Sequence, residues 1–251
     1  MADTDQRSLR IAAAGDVHCR EANREAVVGS FARLEEIADV ALVAGDLTSL
    51  GTVAEAEVLV EAAAATAVPV FAVLGNHDWE GGEAAAMIDA LRAGGVRLLE
   101  GEHAVLEVDG VELGIVGVKG YVGGFAPHQM PDFGEPGLKA LYAETGAEVA
   151  ALDAGLRAIA TCPLRVVLLH YSPAAATLEG EPPEIFAFLG SDRLAAPILE
   201  HGPDLVLHGH AHAGAPEGRI GEVPVRNVSI PVIGTDWWTT ELRASAAGPI
   251  P

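Results

Sequence analysis

The chain has 251 residues, of which 50% are hydrophobic, so it can bury a sizeable core and we predict a single domain over residues 1–251. Its 15 Lys and Arg residues stand against 36 Asp and Glu residues, and the formal net charge of −21 argues against long nucleic acid as a partner. The longest apolar stretch, Val58 to Leu74, is interrupted by Glu61 and Pro69, which argues against a membrane-spanning segment.

Five short apolar runs are predicted to form buried strands, and polar residues follow each of them. In chain order these runs are Leu9–Ala14, Val40–Ala44, Val68–Leu74, Leu164–Leu169 and Leu205–Leu207. Apolar residues recur at helical spacing between the first three runs and after the third. They are Val27, Phe31, Leu34 and Ala38, then Ala56, Leu59, Val60 and Ala63, then Met87, Ile88 and Leu91 before Gly94-Gly95. This alternation indicates βαβ units, in which ligands bind beyond the carboxyl ends of the strands.

Two further groups of strands are predicted to build a second sheet that packs on the first. The first group comprises Val96–Leu99, Ala104–Val108 and Val111–Val116, with Asp109-Gly110 as the turn of a hairpin. The second group is a late hairpin of Ile220–Val225 with Arg226–Val232.

Two segments between these elements have no regular pattern. Gly120 to Pro136 is rich in glycine and is predicted to be a loop at the edge of the functional site. A helix is expected from Leu138 to Ile159, with an interruption at Gly146. Ser172 to Arg193 is the second variable segment, and its Ser191-Asp192 pair is typical of a helix cap.

The polar residues that follow the apolar runs form five motifs. They are Gly15-Asp16-Val17-His18, Gly45-Asp46, Gly75-Asn76-His77-Asp78, His170 and Gly209-His210-Ala211-His212. Carboxylate, carboxamide and neutral imidazole suit manganese, iron, nickel and zinc, whereas calcium prefers oxygen ligands. The good donors are Asp16, His18, Asp46, Asn76, His170, His210 and His212. They exceed the roughly four protein ligands that one metal takes, so the sequence predicts two metal ions.

Each motif taken alone also has a purely structural interpretation. Gly45-Asp46 is compatible with a turn that caps a helix, and His170 with a core histidine at the end of a strand. The two imidazoles of Gly209-His210-Ala211-His212 are a stronger signal, because alternate residues of an extended segment point the same way. All five motifs in this order favour the metal site.

The motifs D-x-H, G-D, G-N-H-D, H and G-H-x-H resemble the signature of the calcineurin-like metallophosphoesterase superfamily, from about Gly15 to His212. The resemblance implies an α/β fold in which a two-sheet β-sandwich is flanked by helices in four layers, αββα. It also implies the ligand sets. The first metal would take Asp16, His18 and His212, the second would take Asn76, His170 and His210, and Asp46 would bridge them.

The same resemblance implies that the protein is an enzyme, a dinuclear metal-dependent hydrolase of phosphate esters. A hydroxide shared by the two ions would attack phosphorus, and His77 would stabilise the phosphoryl group or protonate the leaving oxygen. The chain departs from the protein Ser/Thr phosphatases of this superfamily, because Ser49 and Leu50 occupy the positions of their Asp and Arg before the closing glycine, here Gly51. Without that arginine a phosphate clamp is missing, so protein phosphatase activity is not expected.

We therefore expect a small-molecule phosphodiester or phosphomonoester as the substrate. A nucleotide phosphodiesterase or nuclease is one alternative, and a non-catalytic binding scaffold of the same fold is another. No membrane partner is expected, and the sequence makes no prediction of the oligomeric state.

Other residues receive weaker assignments. Asp78, His208, His128 and Tyr121 are candidates for supporting the metal ligands or contacting substrate. His103, His201 and Arg193 are interpreted as surface residues, and Cys19 as a residue that fills space after the first strand.

Two observations indicate a cytoplasmic protein. Met1 to Arg10 is polar and lacks the basic and then apolar regions of a secretory signal. Cys19 and Cys162 do not form a disulfide framework, which fits a reducing compartment.

Overall fold

The computed structural model describes residues 8–244. The two ends of the predicted domain, and most of the Met1 to Arg10 segment, lie outside the described residues. In chain order the strands are β1 (Ser8–Ala14), β2 (Val40–Ala44), β3 (Val70–Val73), β4 (Arg97–Leu98), β5 (Glu102–Val108), β6 (Val111–Gly117), β7 (Gly124–Phe125), β8 (His128–Gln129), β9 (Leu164–Leu168), β10 (Leu205–His208), β11 (Glu217–Ile220), β12 (Val223–Asn227) and β13 (Trp238–Arg243).

Helices connect most of these strands, and they range from single turns to one long helix. They are α1 (Arg24–Phe31), α2 (Leu34–Ile37), α3 (Val53–Ala64), α4 (Ala84–Ala93), α5 (Pro136–Ala158), α6 (Phe186–Leu189), α7 (Ala195–His201) and α8 (Ile230–Ile233). Short 3₁₀ turns occur at Glu21–Asn23, His77–Trp79, Ala175–Leu178, Pro183–Ile185 and Asp192–Leu194. Within residues 8–244, a helix with the length and apolar character needed to cross a bilayer is not found.

The strands other than β7 and β8 form two mixed sheets. The first has the order β13-β1-β2-β3-β4, with β1 to β4 parallel and β13 antiparallel at one edge. The second has the order β11-β12-β10-β9-β6-β5, in which β6, β9, β10 and β12 are parallel and the edge strands β5 and β11 are antiparallel. The predicted two-sheet sandwich is therefore confirmed.

The core lies in three apolar layers, because successive side chains of a strand point to opposite faces. In β2, Val40 and Leu42 face the second sheet, whereas Ala41 and Val43 face the helices. Helices α1 to α4 cover the first sheet, with Phe31 among their buried residues. Helices α5 and α7 cover the second sheet. The order of layers is αββα, as expected.

Two predictions about the strands need correction, and one strand was not predicted. Val96–Leu99 does not join the second sheet, because α4 returns the chain beside β3 and β4 pairs with it in parallel. The late hairpin turns at Gly221, between β11 and β12, and Arg226–Val232 does not form its second strand. Pro231 lacks the N–H that a strand ladder needs, and the chain enters α8 there instead. Strand β13 was not predicted; its neighbour is β1.

Two predictions about the region between the sheets also need correction. The Gly120 to Pro136 segment is not entirely irregular, because β7 and β8 form a small hairpin within it. Helix α5 runs without interruption across Gly146. That glycine makes room for a neighbour, since an added Cβ would lie 3.1 Å from a guanidinium nitrogen of Arg193.

Candidate metal centre

The five motifs meet at one edge of the sandwich. Three of them follow the carboxyl ends of β1, β2 and β3 in the first sheet, and two follow β9 and β10 in the second. Parallel strands end at the same edge of their sheet, so each sheet gathers its own motifs there. The packing of the two sheets then brings the two groups of side chains together.

All seven predicted donors contribute to this cluster. The ligand atoms of Asp16, His18 and His212 lie within 4.8 Å of one another, and so do those of Asp46, His170 and His210. Asp46 is close to both groups, because its carboxylate oxygens lie 3.8 Å from His18 Nε2 and 3.5 Å from His170 Nε2. Asn76 Oδ1 lies 3.0 Å from His170 Nε2. Each of these two groups could hold a metal ion, and Asp46 lies near both.

The hydrogen bonds of His170 indicate that a cation fits between these donors. Its Nδ1 donates to the carbonyl oxygen of Ala44 at 2.9 Å, so Nε2 is the ring nitrogen that faces the other candidate ligands. Asn76 Oδ1 and Asp46 Oδ1 lie 3.0 and 3.5 Å from this Nε2. When Nε2 carries no proton, three acceptors converge there, and a divalent ion would stabilise them.

His210 is also prepared as a ligand. Its Nε2 donates to the carbonyl oxygen of Phe188 at 3.1 Å, which leaves Nδ1 with the lone pair. Burial lowers the pKa of His210 to about 3, so its imidazole is neutral near pH 7 and available to a metal.

Asp16 is ionised in this site. Burial alone raises its pKa, but the hydrogen bond with His212 Nε2 at 2.9 Å, the charges of nearby histidines and the backbone N–H of His210 outweigh that effect and lower the pKa to about 2. A metal ion would replace the proton that His212 and Asp16 otherwise share.

The backbone at the proposed ligands is strained. Asp16, His18, Asp46 and His210 have φ values of 60°, 47°, 48° and 68°, in the left-handed region that residues with a Cβ rarely adopt. Among residues 8–244 the only other non-glycine residue with positive φ is Asp109, in the Asp-Gly hairpin turn. Strain of roughly 1–3 kcal/mol per residue persists where the surrounding structure enforces it, which is typical of functional sites.

Two motif glycines leave room for the donors. An added Cβ at Gly45 would collide with the ring of His170, and one at Gly75 would collide with the carboxylate of Asp46. Gly45 also has a φ of 81°, which glycine adopts without strain. The G-D and G-N-H-D motifs therefore need glycine for close approach as well as for their turns.

Asp78 joins two of the motif loops. Its buried carboxylate accepts hydrogen bonds from Leu47 N at 3.1 Å, Thr48 N at 2.8 Å, Thr48 Oγ1 at 2.6 Å and Gly75 N at 2.8 Å. Leu47 and Thr48 directly follow Asp46 in the chain, and Gly75 directly precedes Asn76. Asp78 thus supports the two loops, and its hydrogen bonds go to Leu47, Thr48 and Gly75 and not to the ring of His77.

His77 is held by the backbone of Ser49. Its Nδ1 lies 3.0 Å from the carbonyl oxygen of Ser49 and 3.3 Å from Glu80 Oε2, and its side chain is 40% exposed. The sequence did not show which residue orients His77. In the structure, the carbonyl oxygen of Ser49 is the group that holds its ring. Its ligand atom is also within 4.8 Å of those of His18 and Asp46, so position alone is compatible with binding a metal.

His208 lies behind the Gly209-His212 motif and is fully buried. Its Nε2 pairs with Thr177 Oγ1 at 2.8 Å, and its Nδ1 with the carbonyl oxygen of Gly209 at 2.8 Å. Burial lowers the pKa of His208 to about 4, so it is neutral near pH 7. Its role in supporting the metal ligands stays a prediction.

A cleft of about 350 Å³ adjoins the cluster at Asn76. It is lined by Asn76, Trp79, Lys119, Tyr121, Glu144 and Tyr171. Tyr121 therefore lies in the cleft beside the cluster, and its contact with substrate stays a prediction. His128 is exposed and lines a different groove, with Phe125 and Phe186. The sequence analysis did not predict that Trp79, Lys119 and Tyr171 line this cleft. Trp79 and Tyr171 could have been found, because each directly follows a motif residue, Asp78 or His170.

Three residues outside the cluster were interpreted as surface residues. His103 is exposed. His201 is largely buried, and its Nε2 lies 2.8 Å from Asp153 Oδ1. Arg193 is half-buried, donates to the carbonyl oxygen of Tyr142 at 2.8 Å and lies 3.9 Å from the centre of its ring. His103 is thus a surface residue, whereas His201 and Arg193 are partly exposed residues with specific partners.

Cys19 fills space in the core, as predicted. It is fully buried and packs in the layer between the first sheet and its helices. Burial raises the pKa of its thiol to about 12, so it is not a reactive thiolate.

The fold and the cluster together define a metal-dependent hydrolase built on a two-sheet α/β scaffold. The model of one family, described as calcineurin-like phosphoesterase, matches residues 9–214. The chain belongs to this family, whose members use dinuclear metal centres, and it is a metal-dependent phosphoester hydrolase. The resemblance inferred from the motifs is confirmed.

Solved structures share the fold at low sequence identity. The phosphopantetheinyl hydrolase PptH of Mycobacterium tuberculosis is 17% identical, with 88% of this chain and 89% of that chain covered and a TM-score of 0.67. GAP50, described as the anchor in the inner membrane complex of Plasmodium, is 12% identical over 89% of this chain and 72% of that chain, with a TM-score of 0.56. A putative 5′-nucleotidase from Staphylococcus aureus is 15% identical over 88% of this chain and 48% of that chain, with a TM-score of 0.52. No curated protein sequence matches the chain.

Proposed function

We propose that the protein hydrolyses phosphate esters of small molecules, either diesters or monoesters, with two divalent ions drawn from manganese, iron, nickel and zinc. The observation that carries the proposal is that Asp46 lies between two groups of candidate donors. Asp16, His18 and His212 would hold one ion, Asn76, His170 and His210 the other, and Asp46 would bridge them.

The ions, when bound, supply Lewis acidity that neutralises phosphoryl charge and lowers the pKa of water. The residues of the chain position the groups that react. The backbone N–H of His77 donates to Asp46 Oδ1 at 2.9 Å, and the N–H of His210 donates to both oxygens of Asp16 at 3.0 and 3.2 Å. These bonds orient the two carboxylates before any metal arrives, which reduces the reorganisation that binding requires.

His77 is the proposed general acid. The carbonyl oxygen of Ser49 accepts from Nδ1, so Nε2 is the nitrogen that would deliver a proton to the leaving oxygen. Its partial exposure leaves it accessible to substrate. Glu80 Oε2 lies 3.3 Å from the same Nδ1.

The size and charge of the site favour a small substrate. A cleft of about 350 Å³ is at the lower end of the range for small-molecule sites. The formal net charge of −21 would repel a long polyanion. A nucleotide phosphodiesterase agrees with both observations, and a nuclease that acts on long polymers agrees with neither.

A non-catalytic scaffold is the other candidate, because GAP50 shares this fold and is described as an anchor. The donor set of this chain favours catalysis instead. Strained backbone at four of the proposed ligands and a neutral His210 are features that a scaffold without metals does not need.

The decisive experiment combines metal analysis with hydrolysis. Wild-type protein, Asp46→Asn and His103→Ala are each loaded with manganese, nickel, zinc or iron and assayed on generic diesters and monoesters. We expect two metal equivalents and turnover for wild type and for the exposed control His103→Ala. Asp46→Asn should hold one equivalent or none and should not turn over, because a neutral amide bridges two cations poorly.

Two outcomes would count against the proposal. Two full equivalents in Asp46→Asn would remove the bridging role. Wild-type protein that binds two metals and cleaves no ester would favour the scaffold.

A further inference from the structure

The cleft beside Asn76 is continuous with the metal-binding cluster. Tyr171 links the two, because its ring centre lies 4.5 Å from that of His210 and 5.4 Å from that of His170. On its other side Tyr171 lies 5.8 Å from the ring of Tyr121. A phosphate held at the metals would therefore place one of its ester groups at the mouth of this cleft.

Aromatic surface dominates the cleft. Trp79, Tyr121 and Tyr171 supply three of its walls, and Trp79 is 50% exposed. A large apolar ring in water is stabilised when a ligand covers it, and flat rings do so with the most contact per atom. Trp79 lies on the same 3₁₀ turn as His77, so this ring surface has a fixed position relative to the proposed general acid.

Lys119 has hydrogen-bond donors available in the cleft. Its side chain is only 10% exposed, and among residues 8–244 it makes one hydrogen bond, from Nζ to the carbonyl oxygen of Gly120 at 3.0 Å. Glu148 Oε1 is 3.8 Å away, which is too far for a hydrogen bond. An ammonium group has three N–H donors, so two remain beside the rings of Tyr121 and Tyr171, whose centres are 4.3 and 5.4 Å from Nζ.

The charges around Lys119 disfavour a second anionic group in the cleft. Glu144 lines it, and Glu148 Oε1 lies 3.8 Å from Lys119 Nζ. These two carboxylates balance or exceed the single positive charge, so another phosphate or a carboxylate would meet no net attraction. An uncharged group with a hydrogen-bond acceptor fits better.

We propose that this cleft is a binding subsite for a flat, uncharged aromatic or heterocyclic ring on the ester group of the substrate. Trp79 and Tyr121 contact the faces of the ring, and Lys119 donates to an acceptor atom on it. The inference rests on the proposed function, because the phosphate must bind at the metals for its ester group to reach the cleft. A nucleobase and a simple aryl group share this chemistry.

Three monoesters with the same type of leaving alcohol test the subsite: cyclohexylmethyl, benzyl and pyridin-3-ylmethyl phosphate. The ratio of kcat/KM for benzyl over cyclohexylmethyl measures the preference for a flat ring, and we expect about 2- to 10-fold for wild type. The ratio for pyridylmethyl over benzyl measures the hydrogen bond from Lys119, and we expect about 10-fold, the usual effect of a charged donor. Ratios within one protein cancel any general change in activity.

The chain offers a matched control, because Lys119 and Lys139 are its two lysines and Lys139 is exposed on α5. Lys119→Met should bring the pyridylmethyl ratio to about 1, and Trp79→Leu should lower the benzyl ratio towards 1. Lys139→Met should change neither ratio. Metal content should equal that of wild type in all three variants, since none of these residues is a proposed ligand.

The outcomes separate the subsite from the proposed function. If none of the esters is cleaved with any metal, the proposed function fails. Calorimetry then still measures the Kd of the three non-hydrolysable phosphonate analogues of these esters. The ratios of these Kd values report the preference for a flat ring and the hydrogen bond from Lys119. If the esters are cleaved but both ratios are near 1 for kcat/KM and for Kd, or if Lys119→Met leaves the pyridylmethyl ratio unchanged, the subsite is overturned.

A second pair of substrates distinguishes the sources of the ring. Adenosine 5′-monophosphate and ribose 5-phosphate carry the same ester bond and differ by the base. A preference for the nucleotide that Lys119→Met removes identifies a nucleobase. Equal kcat/KM values for this pair, together with a preference for benzyl phosphate, identify an ester of a simple arylmethyl alcohol.

Discussion

Asp78 tests how the loops that carry the proposed ligands are held in place. Its carboxylate is completely buried and accepts hydrogen bonds from Leu47, Thr48 and Gly75, as described above. Asp78→Ala would leave three buried backbone N–H groups without an acceptor. Each such group costs about 1–3 kcal/mol, so the simple sum is about 3–9 kcal/mol.

The upper part of that range is not expected. Burial raises the pKa of Asp78, so the ionised carboxylate is itself disfavoured, and its removal offsets part of the loss. The loops also relax towards water when the acceptor is absent. We therefore expect Asp78→Ala to lower the free energy of unfolding by about 3–5 kcal/mol, the usual range for breaking a buried charged network.

Urea unfolding of metal-free protein measures this loss, and a competition titration with a chelator measures the affinity for metal. Asp78→Asn should give a smaller loss, because its amide oxygen still accepts while its NH₂ group faces donors. Asp89→Ala, at an exposed position on α4, is the control and should change stability by less than about 0.5 kcal/mol. The reasoning is refuted if Asp78→Ala matches Asp89→Ala in unfolding free energy and in metal affinity.

Two further predictions concern chemistry and pH. His77→Ala should keep both metals and lower kcat by about 10²–10⁴-fold, less for esters with good leaving groups; loss of metal would instead make His77 a ligand. Burial raises the pKa of Glu100 to about 7, so between its ordinary value of 4.5 and pH 7 the folded state keeps a proton that the unfolded chain has released. The free energy of unfolding therefore falls as pH rises through this window, by on the order of 3 kcal/mol. In urea unfolding from pH 5 to 8, the free energy of unfolding of Glu100→Gln should rise relative to that of wild type as pH rises. The exposed control Glu57→Gln should track wild type, and a Glu100→Gln difference that does not vary with pH would contradict the assignment.

The strands and motifs of the site were predictable because each depends on neighbours in the sequence. Val40–Ala44 was predicted with its observed bounds, since an apolar run before Gly-Asp reports a buried parallel strand directly. The same holds for β1, β9 and β10 within one or two residues.

Strand pairing was harder to predict, because it depends on where a connection returns the chain. Val96–Leu99 has the composition of either sheet, and only the crossover through α4 puts β4 beside β3. Strand β13 has alternating polar residues that are typical of an exposed edge, and its place next to β1 depends on the packing of the whole first sheet.

The sequence by itself determined the family, the layered α/β architecture and the types of donor at the candidate metal centre. Those properties follow from local apolar runs and from short motifs whose residues act as units. The tertiary structure decided which sheet carries each motif, that Asp78 supports the loops of Asp46 and Asn76, and that the carbonyl oxygen of Ser49 holds His77. It also decided that Trp79, Lys119 and Tyr171 form one cleft. These residues come from segments far apart in the chain, and their contacts exist only because the two sheets pack face to face with their strand ends aligned.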